Sequence, residues 1–339
     1  MCLVPRRKEP MTAKRDIVVM KYLKSNGERY CTPCQGTTVT LNATMLPNCD
    51  IPDLRPIGKD HLNTEICELY GGVIHAGITP NPMGNCCKKA IIPKGAKYWL
   101  DPAGWEIAAT ELYVTDESIN QVDNSLYYDI LENAPEINGI RIGDYQLETN
   151  EFVHPSEEMS TSNVRGIVCG FYEDGTPMVC ALEILSGVWD NECDSKIGDY
   201  IENREDAIKA FNGKEVTNKY KKSKKKELKV FEKCIHYRED KNEEWFLGAN
   251  GEMTTLLSNA IYLYAAHRIT GLGVEIDYEG WFWSCSEYYS SYSWGCDLRS
   301  YGVYCDWDYK GYRSRVVPFF ASTTTGKEKK QEKSQREAE

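Results

Sequence analysis

Fourteen cysteines, five histidines and a late run of aromatic side chains are the residues in this chain whose types and spacing could do chemistry. Cys31-Thr32-Pro33-Cys34 has the two-residue spacing of redox pairs and zinc knuckles. A zinc site needs four ligands, and the nearby supply is Cys49, Cys67, His75 and the adjacent Cys86-Cys87, at spacings that match no zinc module. A redox pair wants a strand-to-helix context, whereas this one lies in a turn between expected strands. Buried or incidental thiols are the favoured reading, ahead of zinc and then of redox chemistry. His61, His75, His154, His236 and His267 are scattered, with no partner at a diagnostic spacing. Nothing matches a phosphate-binding glycine loop, a nucleophile elbow or a paired-histidine metal helix. The expectation is no catalytic residue, no cofactor and no resident metal.

The informative stretch is Trp281 to Ala321. It opens Trp281-Phe282-Trp283-Ser284-Cys285-Ser286-Glu287-Tyr288-Tyr289-Ser290-Ser291-Tyr292-Ser293-Trp294-Gly295 and continues through Tyr301, Tyr304, Trp307, Tyr309 and Tyr312. Aromatic rings offer large contact area at low entropic cost, and neighbouring Ser and Gly let a surface adapt, as in antibody binding loops. Each buried phenol needs a hydrogen-bond partner, so tyrosines interleaved with Ser, Asp, Gly and Arg are hard to bury. Trp281, Phe282, Trp283, Trp294, Leu298, Val303, Val316, Val317 and Phe319 are the expected core; the tyrosines are expected to form a contact surface. Aromatic ladders inside a β-rich core are the competing reading.

The elements that position these residues fall into two regions. Residues 1–155 read as a small β-rich domain of unassigned role, with strand candidates at Asp16–Leu23, Thr37–Leu41, Lys88–Ile92 and Trp105–Thr115, broken by Pro80-Asn81-Pro82, Pro93-Lys94-Gly95 and Pro102-Ala103-Gly104. The polar His154-Pro155-Ser156-Glu157-Glu158 suggests the border of a second domain at 156–322. There, apolar runs either side of Asp174-Gly175 predict a hairpin. Glu205–Phe211 reads as a short helix stopped by Asn212-Gly213, and Met253–Ile269 as a longer one with Leu256, Leu257, Ala260, Ile261, Tyr264 and Ala265 at helical spacing. The lysine-rich 219–229 stretch reads as a solvated face, and 323–339 as a disordered charged tail. The fold class expected is α+β.

At 339 residues, 41% hydrophobic and 27% charged, the chain has material for a real core. A net charge of -11 argues against nucleic-acid binding, which needs a basic face. No segment has the apolar length of a membrane span, and Met1-Cys2-Leu3-Val4-Pro5-Arg6-Arg7-Lys8 opens no signal peptide. Synthesis in the cytoplasm with reduced thiols is expected, with any exit by particle assembly, by lysis or by a signal-independent route.

Several motifs in order carry a resemblance: Ala207-Ile208-Lys209-Ala210-Phe211-Asn212-Gly213-Lys214, Trp245-Phe246-Leu247, Gly251-Glu252 and the helix after it, Gly280 to Tyr288, and Arg313-Ser314-Arg315-Val316-Val317-Pro318-Phe319. About half the chain thereby resembles the C-type-lectin-fold variable proteins of diversity-generating retroelements, departing at Gly248, where that family usually has proline, and at Ser314, where it often has phenylalanine. The resemblance implies a C-type-lectin-like domain in a phage or mobile-element protein. It also implies a surface rewritten by adenine-directed mutagenesis, whose Asn codons yield Tyr, Ser, Asp, Gly, Cys and Arg. Carried over, Tyr288, Tyr289, Ser291, Tyr292, Gly295, Asp297, Arg299, Tyr301, Tyr304, Cys305, Asp306, Tyr309, Gly311 and Tyr312 become the candidate ligand-binding positions, and the partner a protein or glycan on a cell surface. The clustered acidic and amide ligands of a calcium-dependent sugar site are absent from the pattern. Two rivals stand beside this reading. One is a metal-dependent oxidase resembling the formylglycine-generating type, with Cys285, Cys296 and Cys305 as soft copper ligands; the other is a purely structural particle component.

Overall fold

The computed structural model describes residues 10–22, 74–75, 87–100, 106–109, 113–118, 123–223, 226–273, 276, 280–299 and 302–321. Cys31, Cys34, the Thr37–Leu41 strand candidate, Tyr301 and the 323–339 tail lie outside them. The described residues are α+β, with more strand than helix. They form two compact units, Pro5–Asn133 and a second unit that begins at Ala134.

The first unit contains a seven-stranded sheet in the order β1-β5-β6-β3-β2-β4-β7. Its strands are β1 (Met11–Thr12), β2 (Ile17–Tyr22), β3 (Ile74–His75), β4 (Cys87–Ile92), β5 (Lys97–Leu100), β6 (Glu106–Ala109) and β7 (Tyr113–Ser118). The expected turn after Ile92 is present, with Gly95 at φ +92°, a conformation that favours glycine. An unexpected helix, α1 (Ser125–Glu132), buries Leu126, Tyr127, Ile130 and Leu131 at helical spacing. Its buried Asp129 accepts hydrogen bonds from the backbone N–H of Lys14 at 2.6 Å and from the Tyr98 hydroxyl at 2.7 Å. Burial pushes this carboxyl above its usual range.

The second unit starts some twenty residues before the expected border, for a reason visible in the pairing. Strands β10 (Tyr145–Leu147) and β11 (Phe152–Val153) continue the sheet of β12 (Val164–Phe171), so 134–155 belongs to the second unit. A two-stranded ribbon, β8 (Glu136–Ile137) with β9 (Ile140–Arg141), precedes them. The predicted hairpin is β12 with β13 (Pro177–Cys180), turning at Gly175 with φ +84°. The six-stranded sheet has the order β11-β10-β12-β13-β20-β15, where β15 is Phe246–Leu247 and β20 is Pro318–Ala321. A five-stranded sheet, β14-β19-β16-β17-β18, combines β14 (Leu185–Val188), β16 (Phe282–Tyr289), β17 (Tyr292–Arg299), β18 (Gly302–Tyr309) and β19 (Arg313–Val316).

In chain order the helices α2 (Arg204–Ala207), α3 (Gly213–Ser223), α4 (Lys229–Ile235), α5 (Asn250–Ser258) and α6 (Ala260–Thr270) fall between β14 and β16. Gly213 opens a helix instead of ending one, and the position needs glycine because a Cβ there would lie 2.7 Å from the Ala249 nitrogen and 2.8 Å from the Leu247 oxygen. The expected Met253–Ile269 helix is two helices broken at Asn259, and its inward face also takes Tyr262, Leu263 and Ala266, while Ile261 and Tyr264 are half-buried. Lys219, Lys221 and Lys222 on α3 are exposed, as a solvated face should be. The core gathers Trp189, Tyr220, Phe231, Leu247, Trp283, Cys285 and Val316. Of the expected core residues, Phe282, Trp283, Trp294, Leu298, Val303, Val316, Val317 and Phe319 are buried and Trp281 is half-buried. Each fully buried large apolar side chain contributes about 1.5–3 kcal/mol.

Candidate functional site

Strand alternation explains how β17 and β18 display their side chains. Residues directly opposite on an antiparallel pair point to the same face, and the register here pairs Leu298 with Val303, Cys296 with Cys305, Trp294 with Trp307 and Tyr292 with Tyr309. The first two pairs are buried near α5, where the Thr254 hydroxyl lies 3.3 Å from both Cys296 Sγ and Cys305 Sγ. Farther along the same face the rings emerge into solvent, with Trp307 41% and Tyr309 40% exposed.

The emergent rings form a chain of contacts. Tyr288 stacks on Trp307 with centroids 4.9 Å apart and planes 4° from parallel, and meets Trp294 edge-on at 5.7 Å. Tyr292 sets its edge against Trp307 at 4.9 Å and against Tyr309 at 5.9 Å; Tyr309 in turn meets Tyr312 at 5.6 Å. On the other flank Tyr289, 59% exposed, lies 5.4 Å from the ring of Tyr200. Aromatic pairs in these arrangements contribute about 0.5–1.5 kcal/mol each beyond their burial, so the rings are held in place before anything touches them. Register shifts in β16 on both sides of Glu287 mark bulges, which re-aim the side chains beside them.

Beneath the rings is a fully buried ion pair. Lys310 Nζ donates to Glu287 Oε1 at 2.6 Å and to the Ser195 carbonyl at 2.8 Å, and sits 4.2 Å from the Trp189 ring centre. The other carboxylate oxygen of Glu287 accepts from the N–H groups of Ile197 at 2.8 Å and Gly198 at 2.7 Å. Burial pulls the Lys310 ammonium below its usual range, against the pull of Glu287 in the opposite direction. Asp190 accepts backbone bonds from Glu192, Asp194 and Ser195 and faces Lys226 at 2.7 Å. Residues 190–201 are thereby pinned against β16 and β17, with the Trp294 indole N–H closing on the Ile201 carbonyl at 2.8 Å.

The candidate positions separate into distinct groups. Tyr288, Tyr289, Tyr292, Tyr309 and Tyr312 form the aromatic surface; Tyr289 and Tyr312 are the most exposed, whereas Tyr288 and Tyr292 are half-buried by their stacking. Arg299, Tyr304 and Asp306 make a polar cluster: the Arg299 guanidinium lies 3.8 Å over the Tyr304 ring, whose hydroxyl donates to Asp306 at 2.6 Å. Ser291 is half-buried and donates to the Cys193 carbonyl at 2.9 Å, and a Cβ on Gly311 would lie 2.6 Å from the Tyr309 ring; both read as supports for the surface.

Gly295, Asp297 and Cys305 differ from the other candidate positions in being buried in this conformation. Gly295 has a steric reason: an added Cβ would lie 2.6 Å from both the Phe282 oxygen and the Trp281 indole nitrogen. Gly295→Ala is therefore expected to lose about 1–3 kcal/mol in denaturant unfolding; wild-type stability would mean that the position accepts side chains freely. Trp307, named in the aromatic stretch but not among the candidate positions, stands at the centre of the contacts, and Tyr200, which the sequence did not mark, at one flank. Strand alternation on β18 could have found Trp307, which shares a face with Tyr309; nothing local marks Tyr200.

Other chemistry finds little support in the arrangement. Cys285 packs with Leu247, Trp283 and Val316, apart from the touching Cys296 and Cys305, so the three thiols are not assembled. Among the described residues, no group of three or more His, Cys, Asp or Glu could hold a metal ion. An open cleft of about 450 Å³ is lined by Glu148, Arg165, Lys214, Lys241, Glu243 and Glu244, whose charges answer one another, as in Arg165–Glu243 at 2.7 Å and Lys214–Glu244 at 3.2 Å. No described helix is long and apolar enough to cross a membrane.

No family model matches the chain, and a comparison with curated proteins finds no similar sequence. Among solved structures, a fimbrial protein from Bacteroides ovatus ATCC 8483 is similar at the level of the fold alone, with a TM-score of 0.42 and 10% identity over 92% of this chain and 95% of that one.

Proposed function

We propose that the second unit is a recognition module that grips a protein or glycan ligand through the aromatic surface of β16–β18. The single observation that carries the reading is the exposure of Tyr289, Trp307, Tyr309 and Tyr312 at 40–59% while their rings are already fixed by mutual contact. Rigid, exposed aromatic rings gain contact area on binding with little ordering cost, which is why such side chains anchor interfaces. An internal aromatic ladder would leave these four rings covered. The finer reading is a C-type-lectin-like scaffold whose surface positions are diversified, in a phage or mobile-element protein that meets a cell surface. Its support is the ordered set of motifs from Ala207 to Phe319, together with the division of the candidate positions into a solvent-facing aromatic group and a buried frame.

The test is direct binding of labelled protein to a printed glycan array and to a displayed library of cell-surface proteins. For any ligand found, Trp307→Ala and Tyr312→Ala are expected to weaken binding by about thirtyfold each, the equivalent of about 2 kcal/mol, with the melting temperature of Tyr312→Ala lowered by no more than a few degrees. Ligand binding that persists at full strength in both variants would sink the proposal.

A further inference from the structure

Cys296 and Cys305 face each other across β17 and β18 as directly opposed partners, and their sulfur atoms lie 2.9 Å apart. Opposed residues of an antiparallel pair have Cα atoms about 4.5–5.5 Å apart, inside the range of about 4.4–6.8 Å that a disulfide spans. The bond could therefore form with little backbone movement. We propose that this pair is a peroxide-reactive dithiol, oxidised to a cross-strand disulfide that ties the outer strand β18 to β17.

The two thiols differ in environment. A hydrogen bond from Cys296 holds Cys305 below the usual thiol range, whereas burial pushes Cys296 well above it. Cys305, on the strand that ends its sheet, is the thiolate that meets the oxidant in this proposal. It attacks one oxygen of hydrogen peroxide, breaking the O–O bond and becoming a sulfenic acid as hydroxide leaves. Cys296 then loses its proton and attacks the Cys305 sulfur; the S–S bond forms and the sulfenic oxygen departs as water. Two thiol hydrogens and one peroxide end as one disulfide and two waters, with the sulfurs oxidised by two electrons and the peroxide reduced by two. Cys305 is 2% exposed, so access depends on local opening of β18, which, among the described residues, ends its sheet with β17 as its one strand neighbour. The other described cysteines remain as internal controls.

The experiment treats the full chain with hydrogen peroxide, blocks remaining thiols in acid and maps the peptides by mass spectrometry. The expected result is a Cys296–Cys305 cross-link lighter by two hydrogens, reversed by dithiothreitol, with slowed amide exchange along Val303–Tyr309. In Cys296→Ser the cross-link is replaced by a sulfenic acid at Cys305, trapped by dimedone. Two outcomes overturn the proposal: both thiols remaining free under peroxide while circular dichroism reports a folded protein, or Cys305 linking instead to another cysteine such as Cys193. The result is independent of ligand binding, so it stands or falls apart from the recognition reading.

Discussion

Lys310→Met is expected to destabilise the second unit by about 3–5 kcal/mol, the penalty for leaving one partner of a buried ion pair unmatched. Lys310 and Glu287 are both 0% exposed, and in the variant the Glu287 carboxylate keeps the two N–H donors of Ile197 and Gly198 while losing its cation. The Ser195 carbonyl loses its partner too. Removing both charges in Lys310→Met/Glu287→Gln is expected to recover a large part of the loss, because the neutral amide still accepts from the two backbone groups. Urea unfolding of the two variants and the wild type measures the difference. A single variant within about 1 kcal/mol of wild type would mean that the pair is hydrated in solution.

Glu252→Gln is expected to abolish a dependence of stability on pH. Glu252 is 1% exposed at the start of α5; it accepts from the Ala249 N–H at 2.5 Å, the Gly213 N–H at 3.2 Å and the Tyr172 hydroxyl at 3.0 Å. This is half of a capping box, since Ala249 has no side chain with which to reciprocate. Burial raises the carboxyl from its ordinary value to about 7, and the three hydrogen bonds only partly oppose it. The folded state therefore holds the proton more tightly than the unfolded one. Stability from this group is greatest below about pH 4.5, falls as the pH rises toward 7 and is flat above, a loss of about 3 kcal/mol. Glutamine keeps the acceptor for the two backbone groups and offers its amide to Tyr172, so its unfolding midpoint should lack that slope. A slope that persists in the variant would assign the titration to another group, such as Asp144, whose carboxyl burial also raises.

These two groups mark the limit of what the sequence discloses. The apolar residues of the aromatic segment could be sorted by eye, since Trp283, Leu298, Val316 and Phe319 have no means of satisfying themselves in water, and they are buried. The β12–β13 hairpin was equally legible from two apolar runs around a glycine turn. Glu287 and Lys310, by contrast, look like ordinary surface charges, and only the folding of two hairpins brings them to 2.6 Å. Gly295, Asp297 and Cys305 have the same residue types as exposed positions, so composition could not separate them; Cys305 shares a face with Trp307 and Tyr309 but lies where α5 covers it, and Gly295 packs against Trp281 and the Phe282 carbonyl. The domain border lies earlier than the sequence suggests, because a proline-bearing polar segment resembles a linker even when it joins two strands of one sheet, as here between β11 and β12.

The pairing of Met178 with Ala321 and of Leu185 with Val316 has a consequence for biosynthesis. Strands β13 and β14 leave the ribosome well before their partners β20 and β19, so neither large sheet of the second unit can close until those later strands are made. Long-range closure of this kind slows folding. A nascent chain arrested before Val316 would leave β13 and β14 with open edges, giving chaperones and proteases a ready means of telling an unfinished copy from a finished one.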